Sequence, residues 1–232
     1  DLTVFENIKL FAGIYGLDGR ETRRRMEWIV GMAGLAGYEA DRTGRLPMGV
    51  RQRLALGCAL VHEPRVLFLD EPTSGVDPIG RRQFWNMLTR LAREDGVAIL
   101  VTTHYMSEAE HCDRLGLMYA GRLVADSSPS GMKLQVEKEA GHLFEVIVDQ
   151  PGKAVLELRQ AGFAGVAQYG KVVHMFCRDP VRDKACACQA LESSGVKITS
   201  VARRPLSLED VFVYRVMALE QQEPGAHESS SH

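Results

Sequence analysis

Asp70 and Glu71 stand together where an apolar run ends. Val66-Leu67-Phe68-Leu69 carries no charge along its length, the pattern of a short strand buried on both faces in a parallel sheet under helices. In open α/β sheets the C-terminal edge, where both carboxylates arrive, is where ligands bind. Val97 to Thr102 reads as a second strand. The interval between the two is roughly the 30 residues of a βαβ crossover, so they are expected to run parallel and end on one edge. His104 leaves the second strand there, beside the two carboxylates. Upstream, Leu46 to Gln52 leads into a helix that Pro64 ends, with Leu54, Cys58 and Leu60-Val61 as apolar positions. A helix N-terminus is an anion site, because unpaired N–H groups and the dipole face whatever lies in front of them. Each feature has an ordinary reading when taken singly. Asp-Glu-Pro is a common polar strand exit, and a lone His after a strand is more often a structural hydrogen-bonder.

Order and spacing separate these readings. Val66-Leu67-Phe68-Leu69-Asp70-Glu71-Pro72-Thr73-Ser74-Gly75-Val76-Asp77 resembles the Walker B segment and D-loop of ABC-family ATPases. The segment from Leu46 through Arg65 resembles their signature segment and its helix, and His104 resembles their switch histidine. The resemblance covers roughly residues 1 to 133. It implies an ATP-binding and hydrolysing subunit of an ABC-2-type exporter that couples hydrolysis to efflux. Several such ATPases carry a small extra domain after the core.

What the resemblance implies for single residues follows the needs of phosphoryl transfer, which is mostly positioning and charge neutralisation. Asp70 would hold Mg²⁺, Glu71 would polarise the attacking water, and His104 would contact the γ-phosphate of ATP. Leu46, Pro47, Met48, Gly49 and Gln52, with Asp77 of the D-loop, would face nucleotide held by a second ABC ATPase half, in a homodimer or a tandem chain. The usual Leu-Ser-Gly-Gly reads Leu46-Pro47-Met48-Gly49 here. Pro47 has neither hydroxyl nor N–H, so one donor is missing. No G-x-x-x-x-G-K-[ST] loop occurs in the 232 residues to cradle the β and γ phosphates. In the family that loop precedes the signature helix, so the chain is expected to be the C-terminal part of a longer ATPase and inactive alone. The implied partner is a transmembrane permease subunit, which the helical region contacts, with Tyr15, Trp28 and the Arg20, Arg23 to Arg25 run as interface candidates. The implied place is the cytoplasm, peripheral on that face of the membrane. Two alternatives stay open: an ABC ATPase acting on ribosomes or nucleic acid, and a ligand-sensing binding module.

Composition constrains these readings. No apolar run approaches the ~20 residues a membrane-spanning helix needs, so a membrane role is expected to run through the partner. A formal net charge of −2 leaves no electrostatic footprint for nucleic acid, which is not an expected partner. Five Cys, an odd number scattered along the chain, point to reduced thiols rather than a disulfide framework.

The expected organisation is α/β: a partial P-loop NTPase sheet with a helical subdomain, then a small α+β ferredoxin-like domain. Residues 1–64 form the helical subdomain and signature helix, and 65–133 the core from Asp70 to His104 and beyond. Residues 134–141 read as a linker and 220–232 as a disordered tail. Thr3-x-x-Glu6 and Asp18 predict helix starts, as does Asp77-Pro78, and Ser107-x-x-Glu110 predicts another cap. Between 142 and 219 the order strand, helix, strand, strand, helix, strand predicts the ferredoxin-like arrangement, followed by a last helix. His174 falls mid-strand there. Asp179, Asp183, Glu209 and Asp210 read as surface, cap or turn residues.

Overall fold

The computed structural model describes residues 1–222, so the expected tail from 223 onward lies outside it. Two compact units divide the chain between His111 and Cys112.

The first unit opens with α1 (Val4–Ile14), α2 (Gly19–Met32) and α3 (Met48–Ala59). The caps are those the sequence predicts. Thr3 and Glu6 form a reciprocal capping box, and Asp18 accepts from the Glu21 N–H at 2.7 Å. α1 packs on both α2 and α3, burying Val4, Ile8 and Ala12. The basic run divides. Arg20, Arg23 and Arg24 are exposed, but Arg25 is buried and donates to the Leu60 and Val61 carbonyls behind α3. Its guanidinium also lies 4.1 Å over the Trp28 ring, so Trp28 is engaged inside the unit.

β1 (Val66–Asp70) and β2 (Ala98–Thr102) pair in parallel, with Asp70 opposite Thr102. Between them α4 (Pro78–Arg93) is capped by Asp77, which accepts from the Ile79 and Gly80 N–H groups at 3.0 Å each. The strands depart from the expectation of burial on both faces. Leu67 is buried, whereas Phe68 and its cross-strand neighbour Leu100 are 73% and 59% exposed. A four-residue apolar run needs helices on both sides of the sheet, and among the described residues this two-stranded sheet covers only one face.

The second unit begins with a hairpin, β3 (Leu115–Tyr119) and β4 (Arg122–Ser127). The residues expected as a linker, 134–141, are the second half of a helix, α6 (Pro129–Ala140), and Gly141. α6 packs on β4 and on the last helix, α9 (Leu208–Gln222), which places the hairpin with this unit rather than with residues 65–111. Gly141 takes φ +97 at the α6 C-terminus, against the backbone of Cys177 and Arg178, a conformation and a space that exclude a side chain.

β5 (His142–Val148), α7 (Pro151–Gln160), β6 (Ala167–Tyr169), β7 (Val172–Cys177), α8 (Pro180–Ser193) and β8 (Ile198–Arg203) follow. The sheet runs β6-β7-β5-β8 with every pairing antiparallel, the ferredoxin-like order. Alternation along the strands feeds two layers. Phe144, Val146, Val173, Met175 and Cys177 join Ala154, Leu158, Ala187 and Leu191 of α7 and α8 in one core. Glu145 and His174, directly opposite each other, point to the other face, where Asp210 of α9 meets His174.

Candidate functional site

Parallel pairing brings the two strand ends to one edge, and the side chains expected there meet. The Thr102 hydroxyl donates to Asp70 Oδ1 across the pair, and the Glu71 N–H bonds the Thr102 carbonyl at 3.1 Å. Glu71 has φ +42, a left-handed conformation costly for a residue with a side chain. This turn aims its carboxylate out of the strand direction. His104 Nδ1 then stands 3.1 Å from Glu71 Oε1. Asp70 presents hard oxygen donors with Thr102 behind it, a set that suits Mg²⁺, which is commonly held by one or two carboxylates together with substrate phosphates.

A second cluster forms where α3 and α4 begin side by side. Leu46 is buried and closes a 3₁₀ turn (Thr43–Arg45). Pro47 is the N-cap of α3 with no side-chain cap bond, its carbonyl accepting from the Val50 and Arg51 N–H groups at 3.0 Å each. Met48 is exposed and reaches toward Gly75, while Gln52 is half-buried a turn further on. Gly49 and Gly80 let the two helix starts approach. A Cβ at Gly49 would sit 3.4 Å from Val76, and one at Gly80 would sit 2.9 Å from both Val76 and Asp77. Asp77 joins this cluster, with one carboxylate oxygen already committed to the α4 cap.

The family profile described as ABC transporter matches residues 1–74. Nod factor export ATP-binding protein I of Burkholderia thailandensis is 35% identical over 216 residues, 92% of this chain and 67% of that protein. The chain belongs to the ABC transporter family. The probable multidrug ABC transporter ATP-binding protein YbhF of Escherichia coli is 49% identical over 135 residues, 58% of this chain. That alignment spans 23% of YbhF, so the chain corresponds to about a quarter of that relative and two thirds of the Nod factor protein. Among solved structures, cbiO1 of Clostridium perfringens, part of the ABC transporter complex cbiONQ, superposes with a TM-score of 0.53 at 28% identity, over 69% of this chain and 59% of that one. The chain therefore shares its fold with ABC ATP-binding proteins over the matched part, and no helix among the described residues is long and apolar enough to cross a membrane.

Sequence reasoning missed the part of this ABC chain behind the edge. The expected Ser107-x-x-Glu110 cap is not formed. The helix there is the short α5 (Met106–Ala109), entered through Tyr105, whose N–H donates to Thr103 Oγ1 at 3.0 Å. Its Glu108 is buried and bonded to Thr73 and Thr103. Asp210 does serve as a cap residue, its carboxylate accepting from the Ser207 N–H at 3.0 Å and its own N–H donating to Ser207 Oγ at 3.1 Å at the start of α9, but its burial and its His174 partner were hidden. It is buried in the second unit, accepting from His174 at 2.8 Å and from the Ser207 hydroxyl at 2.6 Å. Burial raises its pKa, but the bonds from His174 and Ser207 outweigh that and hold it below the usual carboxylate range. Asp179 and Asp183, by contrast, serve at the start of α8 as the sequence reading has them: Asp179 accepts from Val181 and Arg182, and Asp183 from Arg178 and Asp179.

Proposed function

We propose that this chain supplies the metal, water and switch residues, together with the signature helix, of an ATP-hydrolysing subunit of an ABC-2-type exporter. The observation that carries the proposal is the convergence of Asp70, Glu71 and His104 on one parallel edge, with Glu71 and His104 3.1 Å apart. Mg²⁺, when bound with ATP, neutralises charge on the phosphates. Asp70 is the residue to hold it. Glu71 orients the attacking water and accepts its proton, and His104 donates to the γ-phosphate, which ties departure of the phosphate to the loop that carries it. Gly49 and the first turn of α3 offer backbone N–H groups to the nucleotide of a second ABC half.

The names of the relatives favour export: multidrug transport for YbhF, Nod factor export, and daunorubicin resistance for DrrA3 of Streptomyces coeruleorubidus, 30% identical over 90% of this chain. A transmembrane permease would then hold the subunit on the cytoplasmic face of the membrane. Tyr15, half-exposed and stacked at 3.8 Å on His62, together with exposed Phe5, Phe11 and Ile14, offers the apolar surface for it on α1.

The phosphate-cradling loop is assigned to polypeptide outside these 232 residues, since no segment within them matches its pattern. Without that loop positioning is lost, and positioning carries most of the acceleration in phosphoryl transfer. Isothermal titration of the 232-residue chain with Mg-ATP is therefore expected to show nothing tighter than millimolar. Full-length protein bearing the loop is expected to bind at micromolar concentrations and to hydrolyse ATP. A one-to-one micromolar isotherm for the chain alone overturns the assignment of phosphate binding, and a loop-bearing protein without hydrolysis overturns the ATPase reading.

A further inference from the structure

Glu108 is 2% exposed, and none of the roles above uses it. Its Oε1 accepts from the Thr73 hydroxyl at 2.5 Å and its Oε2 from the Thr103 hydroxyl at 2.7 Å. Arg81 supplies the countercharge, with Nε 3.3 Å from Oε1. The same guanidinium lies 4.1 Å over the Tyr105 ring and reaches the Val76 carbonyl at 3.5 Å. Thr73 follows Glu71 by two residues, and Thr103 immediately precedes His104. One enclosed carboxylate thus joins the loop leaving β1 to the loop leaving β2, and both to the first turns of α4.

A buried carboxylate is tolerated only while its partners stay in place, because an unsatisfied one is costly. Neither loop can shift alone without stripping a hydroxyl from Glu108. The strained backbone of Glu71, at φ +42, needs such a restraint on its far side.

We infer that Glu108 is a positioning residue: by gripping Thr73 and Thr103 at once it fixes the distance between Glu71 and His104 and makes the two loops move together. This rests on the ATPase reading of Glu71 and His104. A carboxylate that only stabilised the fold would lower stability without a preferential loss of turnover.

The test uses the full-length protein with its phosphate loop, comparing Glu108→Gln, Thr103→Val and Thr103→Ser. Glu108→Gln keeps the shape but leaves Arg81 without its countercharge, so Thr103→Val, which removes one grip and keeps the ion pair, guards against simple misfolding. Misplacement by about 1 Å costs on the order of 10²-fold. We expect both variants to lower kcat by about 10- to 100-fold with the ATP KM within about twofold, and Thr103→Ser to restore turnover. In a Glu71→Gln background Thr103→Val is expected to cost less than about twofold more, because a group acting through Glu71 has nothing left to position. Unchanged kcat in both variants, a rise in KM instead, or an equal loss in the Glu71→Gln background overturns the inference. Full turnover in Glu71→Gln alone overturns the underlying ATPase reading, a separate and recognisable result.

Discussion

His104 Nδ1 lies 3.1 Å from Glu71 Oε1 while both side chains are about half exposed, 54% and 48%. A polar contact so open to water stabilises the fold by at most about 1 kcal/mol. The contact therefore has little structural reason to exist, and its exposure leaves both groups accessible to a phosphate and a water.

The first prediction follows from that exposure. In full-length protein, Glu71→Gln is expected to keep ATP binding, which the phosphate loop carries, and to lower turnover by roughly 10²–10⁴, the usual worth of a positioned base. Steady-state hydrolysis and nucleotide binding measured on the same preparation check it. A fall of less than about threefold removes Glu71 from the role of base.

Pro47 leads to the second. The N-cap of α3 has no side-chain cap bond where the family's serine would supply a hydroxyl. The composite site proposed to face this helix is expected to close less tightly on ATP by about the value of one charge-assisted hydrogen bond, ~1.5–3 kcal/mol. Pro47→Ser should then strengthen ATP-dependent dimerisation in a Glu71→Gln background, measured by analytical ultracentrifugation. Equal or weaker association with Ser would mean that the proline is compensated elsewhere.

These two predictions use the part of the site that the sequence displays. Asp70, Glu71 and His104 are legible because each sits at the exit of a short apolar strand, a local pattern, and parallel pairing does the rest. The caps at Thr3, Asp18 and Asp77 are legible for the same reason. What stayed hidden depends on partners distant in sequence: Thr73 for Glu108, 35 residues away, and His174 for Asp210, 36 away. α6 illustrates a different failure. Residues 134–141 read as a linker because the Ser127-Ser128-Pro129-Ser130-Gly131 run before them has linker composition, yet Ser128 accepts from the Gly131 N–H at 3.0 Å and Pro129 opens the helix. The residues that break chains are also those that start helices, and only the packing of α6 on α9 decides between the two. Burial on one face of β1 was illegible because a run of apolar residues records what a strand can bury and not what covers it.

Asp210 gives the third prediction, a dependence on pH. A carboxylate held below its unfolded pKa of about 3.9 contributes stability that is present above that value and lost as pH falls through the folded pKa. The second unit is therefore expected to lose protection in acid, below about pH 4, with α9 loosening from β7 as the His174 contact fails. Glu137 adds in the same direction, since the bond from His142 holds its pKa down, but it is a third exposed and counts for less. Hydrogen exchange of the β7 and α9 amides at pH 7 and pH 3 is the measurement. Asp210→Asn should lower protection at pH 7 and reduce the difference between the two conditions. An undiminished difference in that variant would place the acid sensitivity elsewhere.

Arg25 supports the last prediction, which concerns how the first unit holds α3. The guanidinium is 7% exposed and donates from Nε to the Val61 carbonyl at 3.1 Å, from Nη2 to the Leu60 carbonyl at 2.6 Å, and from Nη1 to Glu63 at 2.8 Å. Those carbonyls lie just past α3, on its C-cap Leu60 and the residue after it, where the helix dipole favours a cation. Burial lowers the Arg25 pKa and the charge of Glu63 opposes it, but a guanidinium remains protonated throughout the accessible range. Removing it strips the Val61 carbonyl of its donor and empties the space over Trp28, while the Leu60 carbonyl keeps the Glu63 N–H at 3.1 Å and Glu63, 55% exposed, keeps Arg24 at 3.2 Å. At about 1–3 kcal/mol for one orphaned acceptor, Arg25→Ala is expected to destabilise the unit by ~1–3 kcal/mol. Arg25→Lys should recover only part of this, because an ammonium is a point charge and cannot serve the three acceptors in the planar fork that Arg offers. Arg24→Ala is the control: its side chain is 63% exposed, and its loss should fall within about 0.5 kcal/mol. Both tryptophans of the chain, Trp28 and Trp85, lie in this unit, so urea unfolding followed by their fluorescence reports on it selectively. An Arg25→Ala midpoint within error of the parent would show that solvent replaces the guanidinium beyond the end of α3.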